Sequence, residues 1–479
     1  MPATQLPIVL RRDIRTALSV QLSSQIRDLV ASGVAAAGSR LPSSRALAAE
    51  LGVARAVVEQ GYDQLLAEGW TEGRRGAGTF VAAVAAAQST PSTLTARVTP
   101  AHLGAVPELV SLDTGTPWQD SRLDAGWRRA WRHVALARIP MGYPSAFGLE
   151  DLREELAAYV GRRRGIACTP QQVMVTTGTT HGWSLVLDVA RPGAVALEDP
   201  GYRAAAEVAA AMGRDVLDIG VNVEGIDVVE LARRRRDVCA VYVTPAHQHP
   251  LGVTMSAARR VDLLTEARRR GAWVVEDDYD SEFRYDVAPL PALAALDQET
   301  VVYLGTSSKI LQPGMRIGWL VASESTVSEI AARRARRHDH PSWPVQHALL
   351  TMLREGHLDR AARAARRVYA ERSRLVAERL GTADCEVADA AGMYVTVQLT
   401  KVRTRAAISA AREAGFQLPS LQEYCRSAHR HGVVLGFGGI DNDALRRVLD
   451  VVVDALKRPH PSPAELCGGE DVSQWGAAT

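Results

Sequence analysis

From Leu18 to Val30 the apolar residues Leu18, Leu22, Ile26, Leu29 and Val30 recur at helical spacing, and Gly33 follows as a stop signal. Gly38-Ser39-Arg40-Leu41-Pro42 reads as a turn, after which Ser43 or Ser44 can N-cap a short helix over Arg45 to Leu51 that Gly52 ends. A third helix, about Ala54 to Glu68, places Val58, Tyr62, Leu65 and Leu66 on one face. Two short strands, Trp70 to Glu72 and Thr79 to Val81, then flank the basic, glycine-rich tip Gly73-Arg74-Arg75-Gly76-Ala77-Gly78. The pattern predicts a helix-turn-helix followed by a basic hairpin. Residues 83 to about 106 have no apolar period and are rich in Ala, Ser, Thr and Pro, as a flexible connection is. From Leu112 onward apolar runs alternate with helical stretches rich in alanine and arginine. The runs predict strands over Val173–Thr177, Ala194–Glu198, Val216–Ile219, Val238–Thr244, Ala272–Asp277, Val301–Thr306 and Ile317–Ala322. This is an α/β pattern with a buried, mostly parallel sheet. The arginine runs 233–236, 268–270 and 333–337 fall on the intervening helices and read as solvated faces.

Length and composition narrow the class. At 479 residues the chain has room for two or three domains, and 47% hydrophobic with 23% charged residues is ordinary for a globular protein. A net charge of +2 asks for no strongly charged partner by itself; residues 1–82, with nine arginines and seven acids, are only mildly basic. The five cysteines are far apart and form no CxxC pair, as in a reduced, cytoplasmic protein. No segment reads as a signal peptide or reaches membrane-spanning length, so a membrane role is not expected.

Lysine changes the picture more. It occurs only at Lys309, Lys401 and Lys457, so 53 of the 56 basic residues are arginine. Lys309 lies in Gly305-Thr306-Ser307-Ser308-Lys309, after the apolar run Val301–Leu304, with Arg316 seven residues on. An amine forms a Schiff base with an aldehyde and a guanidinium does not. Other candidate groups also follow strands, where α/β sheets bind ligands. Thr177-Gly178-Thr179-Thr180 ends a strand and opens a helix, offering free amides to a phosphate. Asp199-Pro200-Gly201-Tyr202 presents an aromatic ring, and Glu276-Asp277-Asp278-Tyr279 a carboxylate and a phenol. A planar, phosphorylated, aldehyde-bearing pyridine would use all of these.

Three resemblances follow from these motifs. Leu41-Pro42-Ser43-Ser44-Arg45-x-Leu47-Ala48, Leu51-Gly52-Val53-x-Arg55, Leu66-x-Glu68-Gly69 and Gly76-x-Gly78-Thr79-Phe80-Val81 resemble the GntR-type winged helix. That resemblance implies double-stranded DNA as a partner, with Arg40, Ser44, Arg45, Arg55, Arg74, Arg75 and Gly78 as candidate contacts. Ala54 and Val57 stand where that family often has hydroxyls. Residues from about Leu112 to Lys457 resemble fold-type-I pyridoxal-phosphate enzymes, the aminotransferase superfamily. The resemblance carries Lys309 to the Schiff-base role, Asp277 to the pyridine nitrogen, Tyr279 to the phenolic oxygen and Tyr202 to stacking on the ring. It carries Gly178, Thr179, Thr306, Ser308 and Arg316 to the phosphate cup, and Tyr143 to the neighbour's phosphate across a dimer interface. The fusion of the two, with Glu276–Tyr285 and Thr244–Gly252, is similar to the MocR group of regulators, which includes GabR and PdxR.

The expected fold is therefore an N-terminal winged helix-turn-helix plus an α/β fold-type-I aminotransferase-like domain. The expected organisation is a DNA-binding domain over 11–82, a flexible linker over 83–110, a pyridoxal 5'-phosphate-binding domain over 111–457 and a disordered tail over 458–479. The resemblance implies a homodimer, with a head-to-tail, domain-swapped arrangement open. One departure bears on function. Val434 stands where aminotransferases place the arginine that holds a substrate carboxylate, and Ala204 where amino-acid-sensing relatives place a second one. Arg203, Arg426, Arg430, His429 or His431 are candidate substitutes. The leading expectation is a regulator for which pyridoxal phosphate is itself the effector, as in a PdxR-like control of vitamin B6 genes. The alternatives are a GabR-like sensor of an amino acid or amine, and an aminotransferase.

Overall fold

The computed structural model describes residues 6–14, 16–74, 78–83, 109–120, 124–284, 291–385 and 392–458. Most of the expected linker, the tail from residue 459 and Arg75 lie outside them. The chain divides into two compact units, Met1–Gly104 and Ala105–Thr479.

In the small unit, helices α1 (Leu18–Ala31), α2 (Ser44–Leu51) and α3 (Arg55–Ala67) precede an antiparallel hairpin of β1 (Thr71–Arg74) and β2 (Gly78–Val81). Ser43, not Ser44, caps α2, its side chain accepting from the Ala46 N–H, and Gly52 ends α2 in the left-handed region at φ 61°. The helical stripe closes a core of Leu22, Ile26, Leu41, Leu47, Val58, Leu65 and Val81. Tyr62 is buried there, and its hydroxyl donates to the Pro42 carbonyl at 2.8 Å. This bond ties α3 to the turn before α2 and so fixes the two helices relative to each other.

The large unit opens with β3 (Val110–Ser111). Its main sheet contains β4 (Val173–Thr176), β5 (Ala194–Asp199), β6 (Val216–Asn222), β7 (Gly225–Ile226), β8 (Val238–Val243), β9 (Trp273–Asp278), β10 (Val301–Thr306) and β11 (Gly318–Val321), in the order β4-β11-β10-β9-β8-β5-β6-β7. Strands β6, β5, β8, β9 and β10 are parallel neighbours, whereas β11 runs antiparallel to both β10 and β4. Successive residues face opposite cores: Val274, Val301 and Tyr303 enter one, Val275, Val302 and Leu304 the other. With both faces covered, these strands begin as continuous apolar runs rather than alternating, and the acids of β9 come only at its carboxyl end. Gly305 pairs with Trp319 across β10 and β11, and a Cβ at Gly305 would lie 2.3 Å from the Trp319 Nε1. The glycine makes room for the indole, which is buried against Tyr159.

A second, two-stranded sheet, β12 (Tyr394–Gln398) with β14 (Gly432–Gly436), and the short pair β3 with β13 (Phe416–Gln417), complete the unit. One expectation fails locally. Arg334, within the run read as a solvated face, is fully buried; it donates to the carbonyls of Ala146 (2.9 Å) and Val175 (2.8 Å) and pairs with Asp339. A guanidinium satisfies several acceptors at once, and that compensates its desolvation.

Candidate functional site

Because β4, β5, β8, β9 and β10 run the same way, their carboxyl ends converge on one edge of the sheet. A cavity of about 410 Å³ opens there. Lys309, Asp277, Tyr279, Tyr202, Gly178, Thr179, Thr306, Ser308 and Arg316 all line it. Tyr143 does not: it is 79% exposed and stacks on His340 at 5.3 Å between ring centroids.

Lys309 follows β10 and is half-buried. Its Nζ donates to the carbonyl of Gly115 at 2.9 Å. Burial lowers its pKa, and Asp280, Asp113 and Asp277 partly oppose that shift. The lowered pKa increases the neutral, nucleophilic fraction of the amine. Lys401 and Lys457, the other lysines, are exposed residues at helix ends, away from the cavity.

Asp277, near the end of β9, is buried. Its Oδ2 accepts from the Tyr242 hydroxyl, while Oδ1 makes no hydrogen bond among the described residues. Burial pushes its carboxyl up to about 7, with the Tyr242 hydroxyl and nearby Thr179 working against the rise. An unpartnered buried carboxylate oxygen costs free energy unless a donor arrives, and a protonated pyridine nitrogen is such a donor. The Tyr279 hydroxyl donates to the His247 carbonyl at 3.0 Å and lies 2.8 Å from the Tyr394 hydroxyl. The Tyr202 hydroxyl lies 3.4 Å from Thr180 Oγ1.

The opposite end is built for an anion. Gly178, at φ 126°, precedes the helix Thr179–Val189, whose N-terminal amides open on the cavity. Thr306 Oγ1 accepts from the Ser308 N–H at 3.1 Å. Arg316, itself left-handed at φ 49°, holds its guanidinium beside Gly178, where a Cβ would lie 3.5 Å from Nη2. Lys309, Asp277 and this cup therefore offer an amine, a carboxylate and an anion cradle to one planar ligand, and the residues fit pyridoxal phosphate.

Several lining residues carried no assigned role in the sequence: Asp113, Thr114, Gly115, Thr116, Thr244, His249 and Pro313. Asp113 gave only the signal of an acid after an apolar run. Burial acts to raise its pKa, but bonds from the Gly115 and Thr116 amides and the Thr116 and Ser111 hydroxyls outweigh it, and the net shift is downward. His249 is buried with Nδ1 unpartnered among the described residues, and burial beside Lys309 and His247 lowers its pKa to about 3. Tyr242 and Tyr394 do not line the cavity, but their hydroxyls bond to Asp277 and Tyr279, which do.

Arg316 is the one arginine lining the cavity among the described residues. Val434 is buried in β14. Arg426 is held by Asp218 at 2.6 Å and the Glu198 carbonyl at 2.7 Å, Arg430 by the Val221 carbonyl at 2.7 Å, and Arg203 by Glu423 at 3.4 Å. None of the candidate substitutes, His429 and His431 included, reaches the cavity.

In the small unit, Arg55 opens α3 with Nε 3.2 Å from the Ser44 hydroxyl and Nη2 2.7 Å from Glu59. Arg45 is exposed on α2. Arg40 lies against the hairpin, where a Cβ at Gly78 (φ 107°) would be 3.2 Å from its Nε. Arg74 pairs with Glu72 at 2.6 Å and covers the Phe80 ring at 4.5 Å. No helix among the described residues is long and apolar enough to cross a membrane.

Comparison with known proteins accounts for both units. Residues 18–81 match the bacterial regulatory proteins of the gntR family, and residues 107–434 match aminotransferase class I and II. The chain is 34% identical to the HTH-type pyridoxine biosynthesis transcriptional regulator PdxR of Corynebacterium glutamicum, covering 94% of this chain and 98% of that one. It is 31% identical to the probable rhizopine catabolism regulatory protein MocR of Rhizobium meliloti, over 94% of this chain and 96% of that one. The fold matches an archaeal alanine:glyoxylate aminotransferase with a TM-score of 0.67 at 24% identity, over 73% of this chain and 91% of that one. The chain belongs to the MocR-type family of transcriptional regulators, in which a GntR DNA-binding domain is joined to an aminotransferase class I and II domain.

Proposed function

We propose that this regulator binds pyridoxal 5'-phosphate in the cavity of its large unit, that the cofactor is itself the effector, and that the controlled genes serve vitamin B6 synthesis or salvage. The observation that carries the reading is the charge inventory of the cavity. It has an amine, an unpartnered carboxylate oxygen and one arginine at the anion cup, and among the described residues no second arginine for an amino-acid carboxylate. Pyridoxal phosphate supplies an aldehyde that condenses with an amine. Lys309 is the amine, Asp277 Oδ1 holds the ring nitrogen, Tyr202 covers the ring, and Gly178, Thr179, Thr306, Ser308 and Arg316 hold the phosphate. The relative named as a pyridoxine biosynthesis regulator supports the choice of target. An amino acid in the same place leaves its carboxylate without a bidentate partner, at a cost on the order of 1–3 kcal/mol.

The small unit reads the operator through Arg40, Ser44, Arg45, Arg55, Arg74, Arg75 and Gly78, and the protein acts as a homodimer on paired half-sites. The dimer draws support from a run of exposed apolar side chains, Ile139 (77%), Met141 (97%) and Tyr143, that a second copy would cover. In that dimer Tyr143 reaches the partner's phosphate cup.

The test is operator affinity for ligand-free protein, protein with pyridoxal phosphate, and the latter with γ-aminobutyrate or other amino acids. Pyridoxal phosphate alone is expected to change affinity; a change that needs an added amino acid overturns the reading. A second reading, a transaminase, is favoured by the complete set of Lys309, Asp277 and Tyr279. Rapid conversion of the bound chromophore to pyridoxamine phosphate by an amino acid, followed by stopped-flow absorption, would establish it.

A further inference from the structure

Lys309 does more than line the cavity. Its ammonium donates to a backbone carbonyl, that of Gly115, in the segment through which the chain from the small unit enters the large one. That segment is anchored on both sides of Gly115. Upstream, Leu112 N–H donates to the Gln417 carbonyl and the Leu112 carbonyl accepts from Gly436. Downstream, the Trp118 N–H donates to the Tyr369 hydroxyl at 2.8 Å, and the Gln119 side chain donates to the Leu311 carbonyl at 2.7 Å. The turn between, Asp113 to Thr116, is closed on itself by Asp113, which accepts from the Gly115 and Thr116 amides.

The bed beneath this turn is glycine. A Cβ at Gly436 would lie 1.9 Å from the Asp113 carbonyl oxygen, one at Gly438 would lie 2.4 Å from the Thr116 carbonyl oxygen, and one at Gly439 would lie 2.6 Å from Thr116 Cγ2. Side-chain hold on the turn comes from the Lys309 ammonium, bonded to Gly115 and attracted to the ionised Asp113, with Tyr424 beside Thr114.

We propose that Lys309 is a latch on the Asp113–Thr116 turn, and that condensation with an aldehyde ligand opens it. The step balances without a further reactant. The Lys309 ammonium sheds one proton to solvent, its nitrogen bonds to the carbonyl carbon, and its two remaining hydrogens leave with the carbonyl oxygen as water. The nitrogen then keeps at most one N–H, fixed in the plane of the new C=N bond, in place of the three that an ammonium can rotate toward Gly115 and Asp113. The turn is released on its glycine bed, in the stretch that continues directly into residues 83–108 and the DNA-binding unit. This rests on the reading of the cavity as an aldehyde site, but it concerns what the amine lets go of rather than what it captures.

The test compares two ligands that fill the cavity alike: pyridoxal 5'-phosphate, and pyridoxine 5'-phosphate, an alcohol that cannot condense. Amide hydrogen exchange of peptides within 109–120 is measured on the full-length protein at equal occupancy. Exchange is expected to be about fivefold faster with the aldehyde than with the alcohol, as the loss of one ordinary hydrogen bond gives. Ligand-free Lys309→Met is expected to exchange as fast as the aldehyde-loaded wild type. Lys309→Gln, which keeps an N–H donor, is expected to stay slow with either ligand. Equal exchange with the two ligands, or a Lys309→Met protein as protected as the ligand-free wild type, overturns the latch. Operator affinity of the same samples separates the two proposals. If exchange responds and DNA binding does not, the latch stands and the effector reading falls; if DNA binding responds and exchange does not, the latch alone falls.

Discussion

The polar groups of the small unit and those of the cavity are kept in opposite ways. On the small unit, Arg55 and Arg74 are exposed and each has an exposed acid beside it, Glu59 and Glu72. Such pairs are worth little and are screened by salt, so a phosphate or base edge can replace the acid at small cost. In the cavity, Asp277 Oδ1 and His249 Nδ1 are buried with no partner among the described residues. Each leaves a buried polar atom whose demand a ligand in the cavity can meet. The first arrangement suits graded, ionic-strength-dependent contact; the second suits a ligand with a matching donor and acceptor.

The most severe way to break the second arrangement is Lys309→Ala. Borohydride reduction in the presence of pyridoxal phosphate should label the wild type at Lys309 and leave the variant unlabelled by peptide mass mapping. Label on Lys401 or Lys457 of the wild type would remove Lys309 from its role. Next comes Asp277→Asn, expected to weaken pyridoxal phosphate binding by about 10- to 100-fold, the worth of a hydrogen bond to a charged group. The same change should help the ligand-free fold. The folded Asp277 carboxyl titrates at about 7, above its ordinary value, so the stability from its neutral form is complete below about pH 4 and is lost as pH rises through about 7. The melting temperature of Asp277→Asn relative to wild type should therefore climb between about pH 4 and pH 7 and level off above; a constant difference would show that Asp277 is not held neutral.

The first arrangement yields smaller effects. Arg55→Ala should cost operator binding about 1–3 kcal/mol in a gel shift if the side chain reads a base, with the absorption of the loaded cavity unaltered. Arg74→Ala should act nearly equally on all DNA sequences and lower the slope of log affinity against log salt by about one. A sequence-selective loss at Arg74 would mean that the two units differ less than their geometry suggests.

The two regions were also unequally legible. Both periods of the fold could be read because burial is continuous: the stripe Leu22, Ile26 and Leu65 needs the 3.6-residue repeat, and strands such as Val301–Thr306 are covered on both faces. The sheet β12 with β14 was not anticipated, because apolar runs as short as Val433–Leu435 cannot be told by period from a buried turn of helix. Within the cavity, residues after strands were legible because parallel strands must end together. Gly115 and its turn were not, since they act through a backbone carbonyl, which leaves no mark on residue type. The fate of Arg426 was equally hidden: whether an arginine is available depends on Asp218, about two hundred residues away in the chain.

Lysine scarcity has a consequence for signal quality. Aldehydes react with whatever accessible amines they meet, and an ordinary surface studded with lysine would soak up an aldehyde messenger at many indifferent places. Guanidinium groups keep the surface hydrated and charged while staying inert to that chemistry. With 53 arginines and three lysines, two of them at exposed helix ends, the chain presents the aldehyde with a near-silent background. On the proposed reading, occupancy would then follow the one amine that lines the cavity, with a stoichiometry set by the fold rather than by the amount of reactive surface.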